Sequence, residues 1–209
     1  MKIAVIAANG QAGRRIVAEA IHRGHDVTAI VRTENQTKAE QVIQKDLFNL
    51  TKEDLVGFDV VVSAFGAFTP ETLPLHSQSI HHFDELLSGS ETRLLIVGGA
   101  GSLYLDESLT TRLLDTPDFP EEFKPLASAQ AEELDVIRTK KNLQWTFVSP
   151  AADFVIEGER TGDYILAGEI FATNKEGISQ LSYDDYAIAM VDEIEGGKHI
   201  QERISILGR

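Results

Sequence analysis

Residues 1–32 read MKIAVIAANGQAGRRIVAEAIHRGHDVTAIVR, and this stretch decides the fold. Ile3 to Ile6 form an apolar strand, and Ala8-Asn9-Gly10-Gln11-Ala12-Gly13 then turns into a segment with Ile16, Val17, Ala20 and Ile21 on one helical face. Gly24 closes that helix, and Val27 to Val31 make a second strand that ends at Arg32. A strand, a glycine turn, a helix and a second strand form the unit whose helix N-terminus offers free N–H groups to a pyrophosphate. Gly10 lets backbone come close to the phosphate, and Gly13 lets the helix pack tightly on the strand. The first glycine of the pattern is replaced by alanine: Ala8 in the shorter spacing, or Ala7 in a Gly-x-x-Gly-x-x-Gly spacing. A methyl group there costs little if φ is negative. Without a ligand, the same stretch is simply a tight strand-to-helix turn.

Working outward, strand-like runs recur at 2–7, 27–31, 41–45, 60–64, 94–97 and 146–149, rich in Val, Ile, Leu and Phe as burial on both faces of a parallel sheet requires. Helical segments are expected at 12–23, 52–56, 76–88, 127–141 and 183–195, with Thr51 and Ser182 as N-caps and Asp184 and Asp185 in the last helix's first turn. After Pro150 the alternation gives way to a loop, short strands near 164–167 and 178–181, the final helix and a closing strand at 203–207. The expected fold is therefore α/β: a Rossmann-like, doubly wound, mostly parallel sheet with helices on both faces and a small C-terminal extension. Residues 1–209 read as one domain, in which 150–209 supply the substrate side of the cleft. Loops starting at Ala7, Arg32, Asp46, Ala64, Gly98 and Pro150 should line that cleft, because open α/β sheets bind ligands at the carboxyl ends of their strands.

Composition narrows the partners. A formal charge of −14 disfavours nucleic acid and anionic membrane surfaces, and no Lys/Arg cluster offsets it. No apolar run approaches the length of a membrane span, and the first strand begins at once, so a cytoplasmic protein without a signal peptide is expected. Cysteine is absent, which excludes disulfides and thiolate chemistry. His76, His81 and His82 share a helix but lack the spacing of a ligand set, so no metal site is expected.

At the end of the second strand, an NAD-selective site would place Asp or Glu for the ribose hydroxyls. Here Arg32 stands, suited to a 2′-phosphate, so NADPH is favoured over NADH. Asp46 can accept from the adenine amino group with Leu47 against the ring, or can simply start a turn. Ala64, Phe65 and Gly66 use small groups where backbone passes the ribose. Gly98-Gly99-Ala100-Gly101 suggests close backbone approach beneath the nicotinamide, although a flexible loop would look similar. Ser102 and Tyr104 are the hydroxyls best placed to meet a substrate. The acidic stretch 106–125, with Asp118, Glu121 and Glu122, is a solvated loop or a lid.

These residues, with 93–102, 145–152, 158–164 and 182–187, span nearly the whole chain and resemble an atypical short-chain dehydrogenase/reductase. Within that superfamily the chain is similar to the NADH-flavin reductases related to biliverdin-IXβ reductase. The resemblance implies that Gly10 to Gly13 bind the pyrophosphate, that Arg32 binds the 2′-phosphate, and that Gly99–Ser102 and Pro150, Ala151 and Ala152 flank the nicotinamide. It also implies FMN, FAD or another flat conjugated acceptor, with Ser102 near it. The superfamily's usual acid/base pair, Tyr and Lys four residues apart, is missing: four beyond Tyr104, Tyr164, Tyr183 and Tyr186 stand Ser108, Gly168, Ala187 and Met190. Hydride transfer to a flavin needs that pair less than carbonyl reduction does. The expectation is an NAD(P)H-dependent reductase of a small conjugated acceptor, monomeric or homodimeric. A non-catalytic NAD(P)-binding redox sensor is the alternative.

Overall fold

In the computed structural model, which describes residues 1–209, the first strand, β1 (Lys2–Ile6), lies inside the sheet. It pairs in parallel with β2 (Asp26–Val31) and β4 (Val60–Ser63). Beyond β2 lies β3 (Gln41–Gln44), and beyond β4 lie β5 (Arg93–Val97) and β6 (Gln144–Ser149), all parallel. The closing strand β10 (Glu202–Gly208) pairs in parallel with β6, and β8 (Tyr164–Ala167) finishes the sheet antiparallel to it. The order is β3-β2-β1-β4-β5-β6-β10-β8. This is the Rossmann-like α/β fold.

The apolar runs work as two-sided strands. Ile3, Val5, Val60, Val62 and Leu95 enter one core, under helices α1 (Gln11–His22) and α5 (Tyr183–Gly196). Their neighbours Ala4, Ile6, Val61, Leu94 and Ile96 enter the other, with α3 (Leu75–Leu87) and α4 (Lys124–Ile137). A side-chain period of two thus divides each strand between two dry faces. The short α2 (Lys52–Leu55) starts at Thr51, whose N–H and hydroxyl both donate to the Asp54 carboxylate. Ser182 Oγ accepts from Asp185 N–H at 3.0 Å and caps α5.

Element boundaries move where local chemistry overrides periodicity. α4 begins at Lys124, three residues before the expected start, because Pro125 needs no N–H partner in a first turn. A parallel pair outside the main sheet, β7 (Asp153–Val155) with β9 (Gln180–Ser182), adds a strand the pattern did not give. No helix is long and apolar enough to cross a membrane.

Candidate cofactor and acceptor site

All parallel strands deliver their carboxyl ends to one side, and the glycine turn sits there between β1 and α1. Gly10 N–H donates to Ala7 O at 2.9 Å, closing the turn. Gly13 lies against that turn so closely that a Cβ would stand 2.5 Å from Ala7 O and 2.9 Å from Ala8 Cα. The N–H groups of Gln11, Ala12 and Gly13 make no hydrogen bond, and no acidic side chain occupies the first turn of α1. Three open donors at the positive end of a 12-residue helix fit a pyrophosphate.

Ala7 itself has φ +55°, so in the longer spacing of Ala7, Gly10 and Gly13 the condition of a negative φ, under which a methyl group costs little, is not met. Alanine carries a left-handed conformation that glycine would adopt without strain. Its neighbour Ala8 is buried, with its N–H on Ile30 O.

Asn9 links the turn to the end of β2. Its Nδ2 donates to Glu34 O at 2.9 Å, and its Oδ1 accepts from Gln36 N–H at 2.8 Å. This fastens the loop that begins at Arg32, whose exposed guanidinium is free of any ion pair. Two further cations flank the turn. Arg14 donates to Asn9 O at 2.6 Å, and Arg15 reaches Ile156 O at 2.8 Å while lying over the Tyr183 ring. A chain of net charge −14 therefore gathers three arginines around one helix N-terminus. The adjacent Gly13-Arg14-Arg15 was the available signal for the two that sequence reasoning missed.

Several expected contacts are redirected. Asp46 Oδ1 accepts from Phe48 N–H at 3.0 Å and starts a 3-10 turn, leaving its other oxygen open. Leu47, 4% exposed, points into the core with Ile6 and Phe83, so the expected apolar face for adenine is corrected. Ala64 N–H donates to Ile6 O, Phe65 sits edge-on to His76 at 5.8 Å, and Gly66 is exposed at the cleft.

The glycines after β5 also have a different cause from the one expected. A Cβ at Gly98 would lie 2.0 Å from the Phe147 ring, one at Gly99 2.1 Å from Gln130 Oε1, and one at Gly101 2.7 Å from Ala127 Cβ. Protein side chains occupy the space that their missing side chains leave, and α4 approaches the sheet because of it. Gly99 and Ala100 keep partial access to solvent; Gly101 is buried.

Ser102 is 3% exposed, with Oγ accepting from Arg203 Nη1 at 3.3 Å and its carbonyl from Nη2. Tyr104 joins the backbone of Ile170 and Arg112, with its ring 5.8 Å from the Arg112 guanidinium and 5.9 Å from that of Arg203. Burial alone would raise its phenol, but hydrogen bonds and charge from Arg112 and Arg138 hold it below the ordinary value. Arg138 follows the C-terminus of α4, at the amino end of the sheet, so Tyr104 lies away from the glycine turn. Neither hydroxyl opens onto the cleft as expected; both join an arginine network closed by Glu169, which Arg138 and Arg203 clamp. Those two cations outweigh burial and keep the Glu169 carboxyl below its usual range.

Pro150 and Ala151 are buried where β6 ends, whereas Ala152 is exposed and donates its N–H to Ser179 Oγ at 3.2 Å. The 106–125 stretch is tied down at its base: Leu113 N–H bonds Leu103 O, and Arg112 clasps Asp135 of α4 through both carboxylate oxygens.

Sequence reasoning also missed a buried pair at this end of the sheet. His76 of α3, 1% exposed, meets Glu133 of α4 at 3.2 Å through Nδ1 and the Ala67 carbonyl at 3.1 Å through Nε2. Burial opposes charge on the imidazole, yet Glu133 beside it raises the His76 value; burial raises Glu133 as well. His81 and His82 take no part: one faces Lys140, the other lies beside Phe48.

The sequence pattern of the NAD(P)H-binding family matches residues 7–195. The uncharacterized protein YwnB of Bacillus subtilis is 47% identical over 210 residues, covering 99% of this chain and 98% of its own. The crystal structure of Streptococcus pneumoniae SP1627, provisionally described as an NADH-flavin reductase, covers 100% of both chains at 71% identity and a TM-score of 0.99. A short-chain dehydrogenase/reductase of Veillonella parvula solved with NADP shares the fold at a TM-score of 0.70 and 17% identity, over 100% of this chain and 94% of that one. With the family pattern running from the glycine turn to α5, the chain belongs to the NAD(P)H-binding family.

Proposed function

We propose that this protein is an NAD(P)H-dependent reductase, preferring NADPH, that delivers hydride to a flavin or a similar flat conjugated acceptor without a Tyr-x-x-x-Lys pair. The observation that carries the reading is the combination of three unpaired N–H groups at the α1 N-terminus with an unpaired, exposed Arg32 at the start of the loop that Asn9 ties to the turn through Glu34 and Gln36. Bound reduced nicotinamide supplies the hydride. The open N–H groups of Gln11 to Gly13 hold the pyrophosphate charge, and Arg32 meets the 2′-phosphate. The free oxygen of Asp46 accepts from the adenine amino group. Ala64, Phe65 and Gly66 wall the ribose, and Gly99, Ala100 and Ala152 border the nicotinamide. The wall of α4 presents Ala127 and Gln130 to the turn after β5, with no acid or phenol there, which favours an acceptor that stabilises its own charge and takes its proton from solvent. Ser102 and Tyr104 act as positioning groups, holding that turn against Arg203. Similarity to SP1627 supports the acceptor class.

The test follows loss of reduced-nicotinamide absorbance with FMN, comparing NADPH with NADH in the parent protein and in Arg32→Ala. Losing a charge-assisted phosphate contact of about 1.5–3 kcal/mol should lower kcat/KM for NADPH roughly 10- to 100-fold and leave NADH unchanged. NADPH binding without turnover above the uncatalysed rate would instead favour the redox-sensor reading.

A further inference from the structure

We infer that the acceptor ring stacks on Phe68, which the buried His76–Glu133 pair holds in place through Ala67, with the Gln130 amide at the slot's polar edge. The inference rests on the reductase reading for the identity of the ligand. Phe68 follows β4 at the cleft and is 74% exposed, while its neighbour Ala67 is buried. The ring lies back on Gly66, where a Cβ would meet Phe68 Cζ at 2.7 Å. Backbone covers part of the ring and the rest is open. A loose loop would let an exposed phenylalanine turn inward. This loop is fixed instead: His76 Nε2 contacts the Ala67 backbone, 3.1 Å from its carbonyl oxygen and 3.4 Å from its nitrogen, His76 Nδ1 faces Glu133, and Ser79 Oγ donates to His76 O at 2.6 Å.

Burying an imidazole and a carboxyl between two packed helices is costly, and apolar side chains of similar volume would pack there more favourably. The pair makes sense as a device for geometry. Both His76 nitrogens are engaged and the ring is sealed from solvent, so His76 is a positioning residue that acts through Ala67 on Phe68. One turn before Glu133 on α4, the Gln130 side chain lies on Gly99, and its amide makes no hydrogen bond within the protein. A half-buried amide that can both donate and accept suits a ring edge carrying a carbonyl or an N–H group. Phe68 and Gln130 are both uncharged. A ligand that stacks on Phe68 and meets the Gln130 amide would be a flat, neutral, conjugated heterocycle, selected by stacking and by one edge.

Lumiflavin, a flavin ring without a phosphate tail, is the probe. It is titrated by fluorescence quenching into the full-length protein with and without NADP⁺, while NADPH oxidation is followed separately. The parent protein should quench lumiflavin. Phe68→Ala, at an exposed position that leaves folding intact, should weaken its Kd about tenfold with the Kd for NADP⁺ unchanged, and Phe68→Tyr should restore it. Gln130→Leu should weaken lumiflavin binding. His76→Leu should do the same, with partial rescue in His76→Gln, which retains a donor for Ala67 O. A parent protein that does not quench lumiflavin, or Phe68→Ala with parental affinity, would overturn the inference. Lumiflavin binding lost in Phe68→Ala, but with no NADPH oxidation in the parent, would overturn the reductase reading and leave the slot standing.

Discussion

Two glycine-dense turns stand at the carboxyl end of this sheet, after β1 and after β5, and they use glycine for different ends. In the first, Gly13 brings α1 against the Ala7-Ala8 backbone and leaves three N–H groups unpaired. In the second, Phe147, Gln130 and Ala127 fill the places where side chains would have been, so glycine serves internal packing. Glycine count alone cannot tell a ligand cradle from a close helix contact. What separates them is the fate of the space and of the neighbouring donors.

Substitution should pull the two turns apart. Gly98→Ala would force a methyl group into the fully buried Phe147 ring, costing about 3 kcal/mol in urea unfolding while the folded fraction binds cofactor normally. Gly13→Ala meets only backbone and should cost about 2 kcal/mol, but with cofactor affinity lost as well, because the helix N-terminus must shift. If isothermal titration finds cofactor affinity lost in both variants, the distinction between the turns fails. A smaller effect sharpens the first turn alone: Ala7→Gly relieves the strain at φ +55° and should raise stability by about 1 kcal/mol. An unchanged midpoint would mean that the left-handed alanine carries no strain.

The last prediction concerns the wall beneath the second turn and is read as a gradual slope. The folded His76 value lies above its ordinary 6.5, so the contribution of His76 is fully present below that pH and is lost as pH rises through the folded value. The melting temperature should decline on the alkaline side of neutrality. In His76→Gln combined with Glu133→Gln that slope should flatten, and a parental slope in the double variant would assign the decline to other groups.

The strands were legible because burial on both faces leaves a continuous apolar record: Ile3 to Ile6, Val60 to Val62 and Leu94 to Val97 need no partner to be read. The three-residue β7 is too short to carry a period, and its partner β9 lies far along the chain. The turn after β1 was legible because glycine, helix face and flanking strands coincide. Side-chain direction was not: Leu47 and Ser102 are suitable residue types at suitable loop positions, but one points into the core and the other toward Arg203. His76 and Glu133 are 57 residues apart and meet only because α3 and α4 pack side by side. Ala7 shows a further limit, since its residue type argues against the φ that the turn imposes.

The order of strands in space has a consequence for how the chain is made. β6 and β8 are both synthesised before β10, yet β10 lies between them and is the only strand with which β8 pairs. The nucleotide half, β1 to β6, can assemble as it leaves the ribosome, since each new strand finds a neighbour already present. The C-terminal part of the sheet must wait with β8 unpaired until β10 emerges and slots in. The arrangement makes the β10–β8 edge the last part of the sheet to form, and leaves β8 without a partner, open to chaperones or to misassembly, in the interval.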